Sequence, residues 1–156
     1  MRSVPYLLYV SLQTLHSYRV SLNENDWDTH VSFAPLALSL SNHGKYLAVA
    51  TDKDMHLIFE TGTNRRIRVL AGGHQCDGYG KPKIAWDPSD LYLFTNSQSD
   101  YLLHVYSLAS GKELTSYRSQ FNQHTGQIRD ICVCSTKRKL LTTSFDRSVI
   151  EWSPVA

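Results

Sequence analysis

The sequence repeats itself at a nearly constant interval along its whole length. The clearest copy begins at His124, contains three strand-like segments and ends at Trp152. Tyr106 and Phe59 occupy the position of Trp152 in the two preceding copies. One interval further back, Ser11 lies at the same point of a similar segment. A repeat of roughly 47 residues indicates an array of small supersecondary units, because one four-stranded unit takes about 40–45 residues.

Each repeat divides into strand-like segments, which we label a to d in chain order. Two repeats, 31–71 and 81–118, contain all four segments, with apolar and polar residues alternating and Gly, Asp, Asn or Ser at the turns. A third repeat, 125–154, has a, b and c but lacks d, and residues 5–22 resemble segments c and d of a preceding repeat. No segment with helical periodicity competes, so the sequence predicts one all-β domain over 1–156.

The composition is that of a chain able to form a packed core. Hydrophobic residues make up 42% of the 156 residues and charged residues 19%, which excludes a disordered tail. The net charge of +2 is too small to indicate nucleic acid, and we expect no such partner. No apolar run approaches the ~18 residues of a membrane-spanning helix, so we expect no transmembrane segment. We also expect no signal peptide, because Tyr9, Ser11 and Gln13 interrupt the apolar N-terminal stretch.

The three cysteines, Cys76, Cys132 and Cys134, form no Cys-x-x-Cys pair. An odd count without a secretory signal favours reduced thiols and an intracellular protein, in the cytoplasm, the nucleus or both. Cys132 and Cys134 fall on one face of a predicted strand, so we expect both thiols to pack between repeats. His74 and Cys76 are too few ligands for a metal site, and we expect neither a metal nor another cofactor.

Short motifs recur in phase with the repeat. In the second repeat a Gly-His pair ends at His74, and in the third repeat His124 follows a glutamine. Trp152 closes segment c of the third repeat and is followed by serine rather than aspartate. A Gly-His before segment a and a Trp-Asp ending segment c are the signature of the WD-repeat family of β-propellers, which this chain resembles from about residue 6 onward. The resemblance implies four-stranded antiparallel blades, about three of them, in a partial propeller.

The family's blades contain a hydrogen-bonded tetrad of His, Ser or Thr, Asp and Trp. The resemblance implies one tetrad in the third repeat and a degenerate one in the second: His124, Thr142, Asp146 and Trp152, and then His74, Asn96, Asp100 and Tyr106. Such a network is chemically sensible, because a buried indole N–H needs an acceptor. The same residue types also occur in catalytic triads, but no Gly-x-Ser-x-Gly elbow accompanies them, so we expect no catalytic residue and no enzyme.

The resemblance also implies a function as a docking platform that assembles other proteins or peptides into a complex. Partners of the family often meet the face formed by the d–a and b–c connections. Tyr and Arg are favoured anchors in interfaces. The candidates on these connections are Tyr79, Gln98, Tyr101, Phe145 and Arg147.

An alternative function is binding to phosphoinositides at a membrane surface through the cluster Arg65, Arg66 and Arg68. Some propellers related to the family bind these lipids through paired arginines within strand d. Here the sequence predicts Arg65 and Arg66 in the c–d turn, where the charges would also protect an exposed edge.

Three repeats are too few to close a propeller, whose blades number about 4–8. We expect one of three arrangements to supply the missing blades. In the first, the chain is the C-terminal part of a larger propeller; in the second, another chain supplies the blades; in the third, two copies close a six-bladed ring. In the last case residues 15–20 of one copy would complete the last blade of the other.

Overall fold

Alternating apolar and polar residues form eleven β-strands in the part of the chain that the structure describes. The structure is a computed structural model, and it describes residues 35–52, 55–63, 65–71, 81–96, 101–117 and 124–153. The strands are β1 (Pro35–Leu40), β2 (Tyr46–Thr51), β3 (Met55–Glu60), β4 (Arg65–Ala71), β5 (Ile84–Trp86), β6 (Tyr92–Asn96), β7 (Leu103–Ser107), β8 (Glu113–Tyr117), β9 (Ile128–Cys134), β10 (Lys139–Ser144) and β11 (Val149–Trp152). The strands predicted within 5–22 lie outside the described residues.

The strands form three antiparallel sheets, each built from neighbours in the sequence. The first sheet has the order β1-β2-β3-β4, the middle sheet β5-β6-β7-β8 and the third sheet β9-β10-β11. Each described repeat therefore forms one sheet, and the prediction of an all-β chain is confirmed for these residues. Hairpin connections between successive strands produce this order, because antiparallel neighbours need only short turns.

The turn between β3 and β4 is shorter than the sequence predicted. Gly62 adopts a φ of +77°, which reverses the chain at little steric cost, and β4 begins at Arg65. Arg65 lies opposite Glu60, and its Nη2 is 3.0 Å from Glu60 Oε2. The prediction that Arg65 and Arg66 lie in the turn is therefore wrong, since both belong to the outer strand of the first sheet.

The first and middle sheets pack face to face. Their shared core is made of small and large apolar side chains from both sheets: Ala48, Ile58, Leu70, Trp86, Leu93 and Tyr106. The indole of Trp86 stacks on Tyr46 with ring centroids 6.1 Å apart. Its Nε1 donates to the carbonyl oxygen of Ser39 at 3.0 Å, which ties β5 to β1.

The opposite face of the middle sheet packs on the third sheet. Buried apolar residues from both sheets form this second core: Leu103, Ile128, Ile131 and Leu140, with Ala85, Phe94, Val133 and Trp152 against them. Asn96 links the two sheets, because its Nδ2 donates to the carbonyl oxygen of Ile128 at 2.9 Å. The sheets thus stack in chain order, and their first strands are neighbours, β1 beside β5 and β5 beside β9.

Apolar side chains are exposed on the outer faces of the stack. Every second residue of β1 is an exposed leucine, and Leu38 between Leu36 and Leu40 is 67% exposed. On the third sheet, Val149 is also 67% exposed and Cys132 is exposed. The predicted packing between repeats is therefore not seen for Cys132 among the described residues. Its side chain points away from the middle sheet, and no described sheet lies against that face.

The turns between the first two strands of each sheet meet at Asn42. Its backbone N and Nδ2 both donate to Asp90 Oδ1, at 2.7 and 3.0 Å, and Nδ2 also donates to the carbonyl of Asp87 at 2.6 Å. The His43 backbone N donates to Asp90 Oδ2 at 2.9 Å, and His43 Nδ1 lies 2.8 Å from the same oxygen. Ser135 Oγ donates to Asn42 Oδ1 at 3.4 Å. Asn42 therefore joins all three sheets at one end.

We call Asn42, His43 and Asp90 the Asp90 latch. Burial by itself raises the pKa of Asp90, but the hydrogen bonds from His43 and Asn42 outweigh it and lower that pKa from 3.8 to about 2. Asp90 reaches this position with a φ of +60°, which is uncommon outside glycine but tolerated by Asp and Asn. The latch therefore holds an ionised carboxylate at the contact between the first and middle sheets.

Candidate functional site

A buried hydrogen-bond network runs through the third sheet. Trp152 Nε1 donates to Thr142 Oγ1 at 2.9 Å, and Thr142 Oγ1 lies 2.8 Å from His124 Nε2. His124 Nδ1 lies 2.9 Å from Asp146 Oδ2. Because an ionised carboxylate only accepts, His124 Nδ1 donates to Asp146, and the Thr142 hydroxyl oxygen, which accepts from the indole, bridges Trp152 and His124. The structure thus brings all four residues of the tetrad expected in the third repeat into contact.

Asp146 organises the turn between β10 and β11. It accepts hydrogen bonds from the backbone N of Ser148 at 2.8 Å, from Ser148 Oγ at 2.6 Å and from the backbone N of Thr125 at 2.9 Å. Burial raises the pKa of Asp146, but these bonds and the contact with His124 outweigh it and hold the pKa well below its usual range. The ionised carboxylate thereby fixes the segment before β9 against the turn after β10.

The middle sheet has an equivalent position for the aromatic residue of the network. Trp152 lies opposite Leu140 in the third sheet, and Tyr106 lies opposite Leu93 in the middle sheet. The chain from the leucine to the aromatic residue is one residue longer in the middle sheet than in the third sheet. An alignment of the two sheets that assumes a constant repeat interval is therefore off by one residue when it matches β6 to β10.

Thr95, rather than Asn96, stands at the position of Thr142. Thr95 follows the leucine of its strand by two residues, as Thr142 does in the third sheet, and both threonines are buried. Asn96 has another role, because its Oδ1 accepts from the backbone N of Lys83 at 2.6 Å while its Nδ2 bonds the third sheet. The other expected members of this set, His74 and Asp100, lie outside the described residues.

Three of the five partner-binding candidates lie at one end of the sheets, opposite the Asp90 latch. This end, which we call the b–c end, carries the connections β2–β3, β6–β7 and β10–β11. Tyr101 is exposed just before β7, while Phe145, 66% exposed, and the exposed Arg147 lie between β10 and β11. Both Tyr101 and Arg147 have positive φ values, 59° and 69°. The candidates Tyr79 and Gln98 lie outside the described residues.

The arginine cluster lies on the outer strand of the first sheet and contacts the rest of the protein. Arg65 pairs with Glu60, as described above. Arg68 donates from Nε to the carbonyl of Leu108 at 3.3 Å and from Nη2 to the carbonyl of Ala109 at 3.1 Å. Because those carbonyls belong to the turn between β7 and β8, Arg68 joins the first and middle sheets. Arg66 lies within β4, opposite Phe59.

Sequence reasoning missed two features. The pairing of Asn42 with Asp90 had a signal, because the two residues are separated by one repeat interval and therefore mark equivalent turns. Arg129 is the second feature, and its guanidinium carbon lies 4.4 Å from the centroid of the Phe145 ring. No sequence signal pointed to that contact, since it depends on how the β10–β11 turn folds back onto β9.

The described residues contain no group of three or more His, Cys, Asp and Glu side chains arranged to hold a metal ion. A search of the same residues finds no helix long and apolar enough to cross a membrane. A scan of the sequence against protein-family models finds no match, and a search of curated proteins finds none either.

Proposed function

We propose that this chain forms blades of a WD-repeat-type β-propeller and serves as a non-catalytic docking module for other proteins or peptides. The observation that carries the proposal is the stack of three sheets in chain order, with neighbouring first strands and with one sheet holding the His124, Thr142, Asp146 and Trp152 network. Blades of a propeller are four-stranded sheets arranged around a common axis. Sheets that stack in chain order with adjacent first strands fit that geometry.

The burial of Thr142 supports a structural role for its network. Thr142 is 0% exposed, and its hydroxyl oxygen already contacts both Trp152 and His124. A nucleophile needs access to a substrate and an activating base. A hydroxyl enclosed between two side chains within the core instead stabilises the sheet, so the proposal assigns no catalytic residue.

The exposed outer faces support further blades beside the described sheets. An exposed row of leucines on β1 and the exposed Val149 on β11 leave apolar surface at both ends of the stack. Contiguous exposed apolar surface marks an interaction site or an aggregation hazard. We propose that blade-type sheets cover these faces, supplied by the same polypeptide, by another chain or by a second copy.

The b–c end is the proposed docking surface. Function on repeat scaffolds is concentrated in surface loops held by rigid strands. The exposed aromatic rings of Tyr101 and Phe145 and the exposed guanidinium of Arg147 are of the types that anchor interfaces. The β10–β11 turn is held in place, since the backbone N of Phe145 donates to the carbonyl of Gln127 at 3.1 Å.

Selection from a peptide-display library on the immobilised chain tests this proposal. We expect selected peptides to lose binding to Phe145→Ser and to keep binding to Leu91→Ser. Leu91 is a matched control, because it is 53% exposed and lies in the β5–β6 turn at the opposite end of the sheets. Failure to select any peptide, or binding that depends on Leu91 and not on Phe145, would contradict docking at the b–c end.

A further inference from the structure

An exposed aromatic ring and a guanidinium lie together at the b–c end. Arg129, on β9, places its guanidinium carbon 4.4 Å from the centroid of the Phe145 ring. Arg129 Nη1 also donates to Gln127 Oε1 at 3.4 Å, a long bond to a neutral amide. A cation over an exposed ring gains only about 0.5–1 kcal/mol. Both groups therefore remain available to a partner, the ring through its open face and the guanidinium through its unused N–H groups.

Arg147 follows Phe145 by two residues in the same β10–β11 turn and has a strained backbone conformation. Its φ of +69° belongs to the left-handed region, where a glycine would be free of steric strain. A non-glycine residue in that region raises the conformational free energy by roughly 1–3 kcal/mol. Residues strained in this way cluster at ligand-binding sites. The side chain is exposed and carries a full positive charge. Tyr101 repeats the same feature, a bulky exposed residue at positive φ, in the equivalent connection of the middle sheet.

Two described acidic residues near these arginines, Asp146 and Asp130, have partners within the protein. Asp146 is occupied by hydrogen bonds from its own turn and from the segment before β9. Asp130 Oδ1 lies 3.4 Å from Lys83 Nζ. Among the described residues, neither Arg129 nor Arg147 pairs with a carboxylate. In the part of the chain that the structure describes, Asp146 is thus held by its own turn and Asp130 faces Lys83, while the guanidinium groups of Arg129 and Arg147 can take an anion from outside.

We propose that Arg129, Arg147 and Phe145, with Tyr101 at the side, form a basic–aromatic patch that binds an acidic peptide segment. The inference rests on the proposed docking function and names the chemistry of the partner. Peptide carboxylates bind the two guanidinium groups, which present paired donors suited to a carboxylate. An apolar side chain of the same peptide covers the open face of Phe145.

Fluorescence anisotropy tests this binding with a labelled decapeptide of aspartate and glutamate around one central leucine. A matched peptide carries asparagine and glutamine in place of the acids. The key variant is Arg147→Gly, which removes one charge and relieves the backbone strain. Its matched control is Arg138→Gly. Arg138 is an exposed arginine of the same sheet with a φ of +50°, and it lies at the opposite end of β10.

We expect the acidic peptide to bind, the amide peptide not to bind, and the affinity to fall as salt is added. Arg147→Gly should weaken binding roughly tenfold, as expected for one charge-assisted contact, while Arg138→Gly leaves it unchanged. Equal losses in the two variants, no binding of the acidic peptide, or binding to anionic lipid vesicles alone would overturn the proposal. If display selects peptides without acidic residues that depend on Phe145, the docking function stands and the acidic partner is refuted.

Discussion

Replacing Asp90 by asparagine should weaken the joint between the first and middle sheets. Asparagine tolerates the positive φ of this position, so the change removes the charge without adding backbone strain. The fall in the pKa of Asp90 from 3.8 to about 2 corresponds to about 2 kcal/mol of preferential stabilisation of the ionised carboxylate. Because asparagine cannot ionise, we expect Asp90→Asn to lower the free energy of unfolding at pH 7 by about 2 kcal/mol.

The same reasoning predicts how this loss depends on pH. A carboxyl whose pKa is lowered by folding stabilises the fold above its unfolded pKa, and that stability disappears as pH falls through the folded pKa. The difference between the native protein and Asp90→Asn should therefore be full above pH ~4 and should shrink toward zero near pH ~2. Urea unfolding, followed by tryptophan fluorescence at a series of pH values, measures this difference directly.

A matched control is Asp130→Asn. The Asp130 side chain is 67% exposed and pairs with Lys83 over 3.4 Å. Exposed ion pairs are worth at most about 1 kcal/mol, so we expect a loss below about 0.5 kcal/mol. A stabilising role for the ionised Asp90 carboxylate is refuted if Asp90→Asn costs no more than the control, or if its cost stays constant from pH 7 to the acid end of the series.

Three further substitutions test the packing by the same urea measurement. Thr142→Val removes the hydroxyl that contacts the buried His124 and the partly buried Trp152 indole, and we expect it to cost about 1–3 kcal/mol. A cost below about 0.5 kcal/mol would argue against the network. Gly126→Ala would place a Cβ 2.9 Å from the backbone nitrogen of Asp146. We therefore expect this substitution to lower the free energy of unfolding by about 1–3 kcal/mol. An unchanged stability would be inconsistent with the close contact. Arg65→Ala breaks one exposed ion pair and should change stability by less than about 0.5 kcal/mol; a larger loss would show that the pair supports β4.

The strands were predictable because alternation and turn chemistry agree along most of the chain. The β1–β2 turn is an example, since Gly44 supplies a φ of +70° between two alternating segments. The start of β4 was not predictable, because it depends on how quickly the chain reverses at Gly62 and on the cross-strand pair that Arg65 makes with Glu60. Polar residues that follow a turn are equally typical of loops and of exposed outer strands, so the sequence alone cannot assign Arg65 to one or the other.

The network of the third sheet was easier to anticipate than its counterpart in the middle sheet. His124, Thr142 and Trp152 carry distinctive side chains at the expected spacing. In the middle sheet, one additional residue before the aromatic position moved the true equivalent from Asn96 to Thr95. Because successive residues of a strand face opposite sides, an error of one residue changes the sheet face to which a side chain is assigned.

Contacts between sheets were the least predictable part of the structure. The sequence shows alternating leucines on β1, but alternation does not reveal which face a neighbouring sheet covers. The row that includes Leu38 is exposed, whereas Ser39, between two of these leucines, contacts Trp86 of the middle sheet. The Asp90 latch likewise depends on the left-handed backbone of one aspartate, which no local pattern specifies.

The central claim is that the three sheets are blades whose open faces require neighbours. Light scattering after size exclusion, on the purified chain at micromolar concentration, tests it most directly. The account predicts a mass of two chains, as in a closed ring, or a larger assembly, because leucines on β1 and Val149 on β11 leave apolar surface open at both ends of the stack. A monodisperse monomer would contradict the claim, since the stack would then tolerate its open faces in water.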